Sequence, residues 1–239
     1  MADVNATVPE RLAGVATAIA TAVVITAIAI VPFLTPAWVA FEQGRSGAAQ
    51  LTGYTADQLR TATDAILADL VLGPPAFDVE IDGAPVLIER ERAHMRDVRG
   101  VFAGFGLLAI IAAVGLVALY AGARRLGHPE RVWAAVRNGA RGLAVGVVVA
   151  GVVAFFAFDT LFEIFHRLFF AGGSYSFDPA SERLVQLFPF TFWSETTMAV
   201  GAVIVALAVV VAGLAGRRMR RPASYAAAAA GLAHPEAAR

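Results

Sequence analysis

The chain has 239 residues, 58% of them hydrophobic, with a mean hydropathy of +0.67, no net charge and no cysteine. An apolar share above the roughly 45–50% of ordinary soluble domains makes lipid the expected solvent for much of the chain, and no basic domain points to nucleic acid. Without cysteine there is no disulfide, no thiolate metal site and no cysteine thioacyl-enzyme.

Four runs are free of charge, at 12–41, 100–123, 142–158 and 196–216. Each is close to or above the roughly 20 apolar residues that cross a hydrocarbon core, although the third needs its polar extension at 159–170. The expected fold is therefore mainly α and membrane-embedded, with four transmembrane helices and a small α/β extracytoplasmic cap. The first run is too long for a signal-peptide core and lacks a clear small-x-small cleavage site, so 12–36 is read as a retained first span.

Residues 37–98 follow as a loop of about 62 residues, too long and too patterned for a connector. Thr55 and Gln58 fit a capping box, and Leu59, Thr63, Ile66 and Leu70 recur at helical spacing until Gly73-Pro74-Pro75. Phe77, Val79 and Ile81 alternate with acidic residues, and Asp82-Gly83 precedes Val86-Leu87-Ile88, which predicts a β-hairpin. From about Glu89 a helical pattern runs without a breaker into the second span at 100–123, so Glu91, His94, Asp97 and Val98 lie on one projecting helix.

A loop at 124–141 carries Arg124, Arg125, Arg131, Arg137 and Arg141. Further arginines stand before the first span (Arg11) and after the fourth (Arg217, Arg218, Arg220, Arg221), and there is no lysine. That distribution places both termini and the 124–141 loop in the cytoplasm. Of 19 acidic residues, 15 fall at 42–97 or 159–195, the segments this assigns to the outside.

The third span and its outer extension occupy 142–170, where Asp159, Glu163, His166 and Phe170 share one helical face up to the stop at Gly172-Gly173. The outer loop 171–195 has a turn at Asp178-Pro179 and a short helical piece from Ser181 to Leu187. The fourth span is 196–216, and the alanine-rich tail 217–239 is expected to be disordered.

Counting about 1.5 Å per helical residue, His166 lies roughly 37 Å above Arg141 and His94 roughly 45 Å above Arg124, which puts both at the outer interface. Ionisable residues at that depth are functional candidates, and eight aromatics between 169 and 193 surround them in sequence. Those aromatics alone would make an interfacial belt, and either histidine alone would make a hydrogen-bonded interface residue. Two histidines at matching depth, each three residues after a glutamate, are poorly explained that way. His128 and His234 have no such company and are read as solvated.

The segments Glu91-x-x-His94-Met95-x-Asp97-Val98-Arg99 and Phe162-x-x-Phe165-His166-x-x-Phe169-Phe170 resemble the lipoprotein intramolecular transacylases. So do Ser176-Phe177-Asp178-Pro179 and Leu187-Phe188-Pro189. Tyr175, Glu182 and Phe190 depart from the family pattern, which has tryptophan, aspartate and an acid there.

The resemblance implies an acyltransferase of the bacterial cytoplasmic membrane, with its active site on the outer face. Its substrate would be a diacylglyceryl-modified lipoprotein, whose sn-2 acyl chain moves to the free amine of the same cysteine to give the lyso-form. Membrane lipids are the other partners, and neither cofactor nor metal is implied. An amine attacking an ester needs a base and a proton donor, and two histidines supply both at neutral pH.

His94 and His166 are the expected catalytic pair, with Glu91, Asp97, Arg99, Asp159 and Glu163 supporting or orienting them. The substrate pocket would be walled by Phe162, Phe165, Phe169, Phe170, Tyr175, Phe177, Phe188, Phe192 and Trp193. Two alternatives stand beside this. One is a dimetal carboxylate protein built on the Glu-x-x-His pairs with Glu42 and Glu195; the other is a lipid-binding or assembly protein without turnover.

Overall fold

The computed structural model describes residues 7–170 and 175–233, with side chains as far as Met219. Four long apolar helices dominate it: α1 (Val8–Ile30), α5 (Glu89–Arg125), α6 (Pro129–Phe169) and α8 (Phe190–Ala233). Between the first two lie α2 (Pro36–Ser46), α3 (Ala48–Thr52), α4 (Ala56–Val71) and the strands β1 (Glu80–Ile81) and β2 (Ala84–Pro85); α7 (Arg183–Leu187) precedes α8.

At about 1.5 Å per residue the 37 residues of α5 and the 41 of α6, the latter broken once at Ala157, follow paths of roughly 55 and 60 Å, well beyond a hydrocarbon core of roughly 30 Å. Both helices therefore continue outside it, which is where charge enters their sequences. Along the apolar stretches large side chains point away from the protein, with Val117 69%, Phe156 81% and Val209 61% exposed. In water such a surface would aggregate; among acyl chains it is solvated. α8 continues as helix through 217–233, where composition points to a disordered tail; alanine, the strongest helix former, dominates its second half.

The chain divides into two compact units. One comprises Met1–Thr26, Leu108–Val147 and Ile204–Arg239. In it Gly139 packs so closely on α1 that a Cβ there would stand 2.5 Å from the Ala18 carbonyl oxygen. Buried Thr17 and Thr21 turn their hydroxyls back onto the carbonyls of Ala13 and Thr17, which removes their polarity from the interface.

The other unit comprises Ala27–Leu107 and Val148–Val203. Its core joins Val39, Leu59, Ile66, Phe77, Val86, Leu87 and Met95 to Leu184, Leu187, Phe188 and Phe192. Thr55 and Gln58 form the expected reciprocal cap of α4. Asp82 and Gly83 both have positive φ, the conformation a two-residue hairpin turn requires, and the strands pair antiparallel for only two residues each. Phe77, also at positive φ, is held there by its N–H donating to Asp69 Oδ2 at 2.7 Å while its ring is buried. Gln43 donates to the Leu187 carbonyl and accepts from Thr63, which ties α2, α4 and the end of α7 together.

Candidate functional site

His94 sits in the second turn of α5 and is 5% exposed. His166 sits near the end of α6, beyond a break at Ala157, whose φ of −140° and ψ of 38° leave the helical region. No proline or glycine stands at that break, and nothing in the sequence marks it. Both histidines belong to the same compact unit. Their rings lie near-parallel, 20° apart in plane and 6.1 Å between centroids.

Aromatic rings enclose this pair. Phe170 touches both imidazoles, at 4.8 Å from His94 and 5.4 Å from His166. Phe177 meets His94 edge-on at 5.3 Å, and Phe162, Tyr175 and Phe165 lie 4.0, 5.0 and 5.4 Å from His166. Phe169 stands one ring further out, against Phe165. Phe188, Phe192 and Trp193 pack on one another as a second group, linked to the first through Trp193 and Phe162 at 6.5 Å. Five of the nine expected pocket aromatics thus touch an imidazole directly and four do so through other rings.

The nitrogens of the two histidines differ. His166 Nδ1 is 2.8 Å from the Phe162 carbonyl oxygen one turn back. A carbonyl only accepts, so Nδ1 carries the hydrogen and Nε2 of the neutral ring keeps its lone pair. His94 Nδ1 is buried and has no hydrogen-bond partner among the described residues.

The expected supporting residues separate into two sets. Glu91 is fully buried but turned away from the rings: its Oε2 accepts the Ile88 N–H at 2.8 Å and its Oε1 the Leu184 N–H at 2.6 Å. Glu163 acts on a wall of the site, accepting from Arg167 at 2.8 Å and from the Tyr175 hydroxyl at 3.1 Å. Arg99 donates to the Asp69 carbonyl and so fastens α5 to α4. Asp97 and Asp159 are exposed, and among the described residues no hydrogen bond joins either to an imidazole. The dimetal alternative loses its donors in the same way, because Glu91 is committed to two backbone amides and no group of three or more His, Asp or Glu among the described residues converges to hold an ion. His128 is exposed beside Glu130, and His234 lies outside the described residues.

Arg90 is not among the sequence candidates, and Glu182 stands there only as a departure from the family pattern. Arg90 donates to both oxygens of Glu182 and to the Ser176 carbonyl, and its guanidinium lies over the Phe177 ring at 4.9 Å. Burial by itself would raise the Glu182 carboxyl, but the guanidinium and the Asp178 N–H outweigh it and hold the group below its ordinary value.

The chain belongs to the Lit family of lipoprotein intramolecular transacylases, whose family model matches residues 14–193. It is accordingly a membrane enzyme of the acyltransferase class. Its fold is similar to that of the membrane integral lipoprotein intramolecular transacylase Lit from Bacillus cereus, with a TM-score of 0.74 at 17% identity, over 91% of this chain and 98% of that one. Two structures of the same Bacillus protein, in which a histidine is replaced by arginine or by alanine, each match with a TM-score of 0.71 at 17% identity. They cover 95% and 96% of those chains and 91% of this one. Among curated proteins none matches the chain.

Proposed function

We propose that His166 and His94 carry the transacylation as a base and a hydrogen-bond donor acting on one bound lipid. The cysteine amine of a diacylglyceryl lipoprotein gives a proton to Nε2 of His166 as its nitrogen attacks the sn-2 ester carbonyl. A carbon–nitrogen bond forms, His94 donates to the oxygen that gains charge, and the carbon–oxygen bond to glycerol breaks. The proton taken from the amine returns to the departing glyceryl oxygen, so the amide and the free hydroxyl are formed without net proton change. No protein nucleophile is needed, consistent with the absence of cysteine.

The observation that carries this reading is the facing of two imidazoles at 6.1 Å, one of them held with its Nε2 lone pair free. Base and donor must each lie within about 3 Å of atoms that are themselves bonded or about to bond, and a pair so spaced meets that need. The aromatic walls contribute by confining the amine and the ester of one flexible molecule, an effective-concentration gain. The arginine distribution supports placing both termini in the cytoplasm and this site on the outer face, where the lipid-modified cysteine of a secreted lipoprotein resides.

The test is expression of wild type, His94→Ala and His166→Ala in a strain whose lipoproteins stay diacylated. Intramolecular transfer leaves the intact mass unchanged, so the reporter's N-terminal peptide is read by fragmentation and by labelling of its amine. Wild type is expected to block the amine with an acyl group, and both variants to leave it free at equal membrane levels. A free amine with wild type, or a blocked one with His166→Ala, would refute the proposal.

A further inference from the structure

Arg90 and His94 stand four residues apart, one turn along the same face of α5. Phe177 comes from a segment distant in sequence and has no regular secondary structure of its own, yet its ring meets both: the guanidinium lies 4.9 Å over it and the imidazole touches it at 5.3 Å, inclined at 68°. The backbone on both sides of that ring is tied to the first turn of α5. Arg90 holds the Ser176 carbonyl at 3.0 Å on one side of Phe177 and Glu182 on the other, and Glu182 accepts the Asp178 N–H at 2.5 Å. Gln186 donates to the Pro179 carbonyl and closes the turn from behind.

We propose that Arg90 is a positioning residue for acyl transfer, setting the ring of His94 through the ring of Phe177 that it holds. The inference rests on the reading of His94 and His166 as the reacting pair. The His94 ring depends on its packing neighbours, because among the described residues no hydrogen bond at its buried Nδ1 orients it. Packing against the rings of Phe170, Phe177 and His166 then bears on its orientation. The guanidinium suits the task because it is planar and offers several donors at once, so it satisfies a carboxylate and a carbonyl while lying flat on an aromatic face. Lysine keeps the charge and loses both the fork and the stack.

The experiment compares wild type, Arg90→Lys, Phe177→Leu and the double variant as purified protein in detergent, with a diacylated lipopeptide as substrate. A misplaced catalytic group costs turnover far more than binding, so kcat is expected to fall about 10- to 100-fold with KM within about twofold for either single variant. The double variant is expected to match the worse single one, since both break the same link. Labelled histidine gives a second readout: the ring-proton resonances of His94, displaced by the faces and edges of Phe170 and Phe177, should move in both variants.

Wild-type kcat and an unmoved His94 resonance in folded Arg90→Lys would overturn the proposal, as would additive losses in the double variant. Should Arg90→Lys fail to accumulate, Phe177→Leu reads the same link from its other end, and unchanged kcat and resonance there overturn it equally. An active His94→Ala enzyme would instead refute the histidine reading itself, whatever Arg90 does.

Discussion

Replacing Glu91 by glutamine separates a structural carboxylate from an orienting one. The side chain is fully buried, and each of its oxygens accepts one backbone N–H, from Ile88 and from Leu184, 93 residues away. Glutamine keeps one acceptor and turns an NH2 group onto the other N–H, so one charge-assisted bond is lost and a buried donor is stranded. Such a bond is worth about 1.5–3 kcal/mol and a stranded donor costs about 1–3 kcal/mol. Removing a buried charge returns part of this, because its desolvation is no longer required.

A net loss of about 2 kcal/mol lowers the melting temperature of a chain this size by about 4–8 °C. Intrinsic fluorescence of the purified protein on heating, in one fixed detergent, measures it. Below the transition most of the turnover should survive, since neither oxygen touches an imidazole. A Glu91→Gln protein that melts within about 1 °C of wild type, yet has lost its turnover, would show that the carboxylate orients a ring and refute this reasoning.

Two further outcomes follow from packing and from protonation. Gly139→Ala would drive a Cβ to within 2.9 Å of three Ala18 backbone atoms, so it is expected to destabilise by about 1–3 kcal/mol. Gly142→Ala, with nothing within 4 Å, should be neutral or slightly stabilising in the same melting assay; equal effects at the two positions would contradict the close approach. Burial, and then the neighbouring Glu195 carboxyl, raise the Glu42 carboxyl above its ordinary value. Its contribution is therefore complete below the unfolded value of about 4.3 and is lost as pH rises through the raised one. Glu182 is held low, so its contribution is present above about 4.3 and lost as pH falls through the depressed value. Melting temperature against pH should flatten on the high side in Glu42→Gln and on the acid side in Glu182→Gln; matching slopes in both variants would refute the assignment.

What was legible from residues alone is local or periodic. Charge-free length marks the four long helices, because each must satisfy its backbone internally in lipid. Thr55 with Gln58 marks a helix start, and Asp82-Gly83 marks a hairpin turn, because each motif is completed within four residues. The two histidines stand out for a related reason: an ionisable residue continuing an apolar helix needs an explanation whatever surrounds it.

Sequence alone thus determined the membrane class, the four long helices and a short set of candidate side chains, which follow from solvent and from chain geometry over a few turns, while the family was legible only as a resemblance of a few motifs. Only the tertiary structure decided which of those side chains meet. Whether a charged residue on a helix faces a ring, a backbone amide or solvent depends on how that helix is rotated against its neighbours. For this reason Asp97 and Asp159 are left exposed while Glu91, three residues before His94, ties down Leu184 instead. The pairing of Arg90 with Glu182 spans 92 positions, and no local pattern announces it. The break at Ala157, a residue that is neither proline nor glycine, is likewise seen only in the structure.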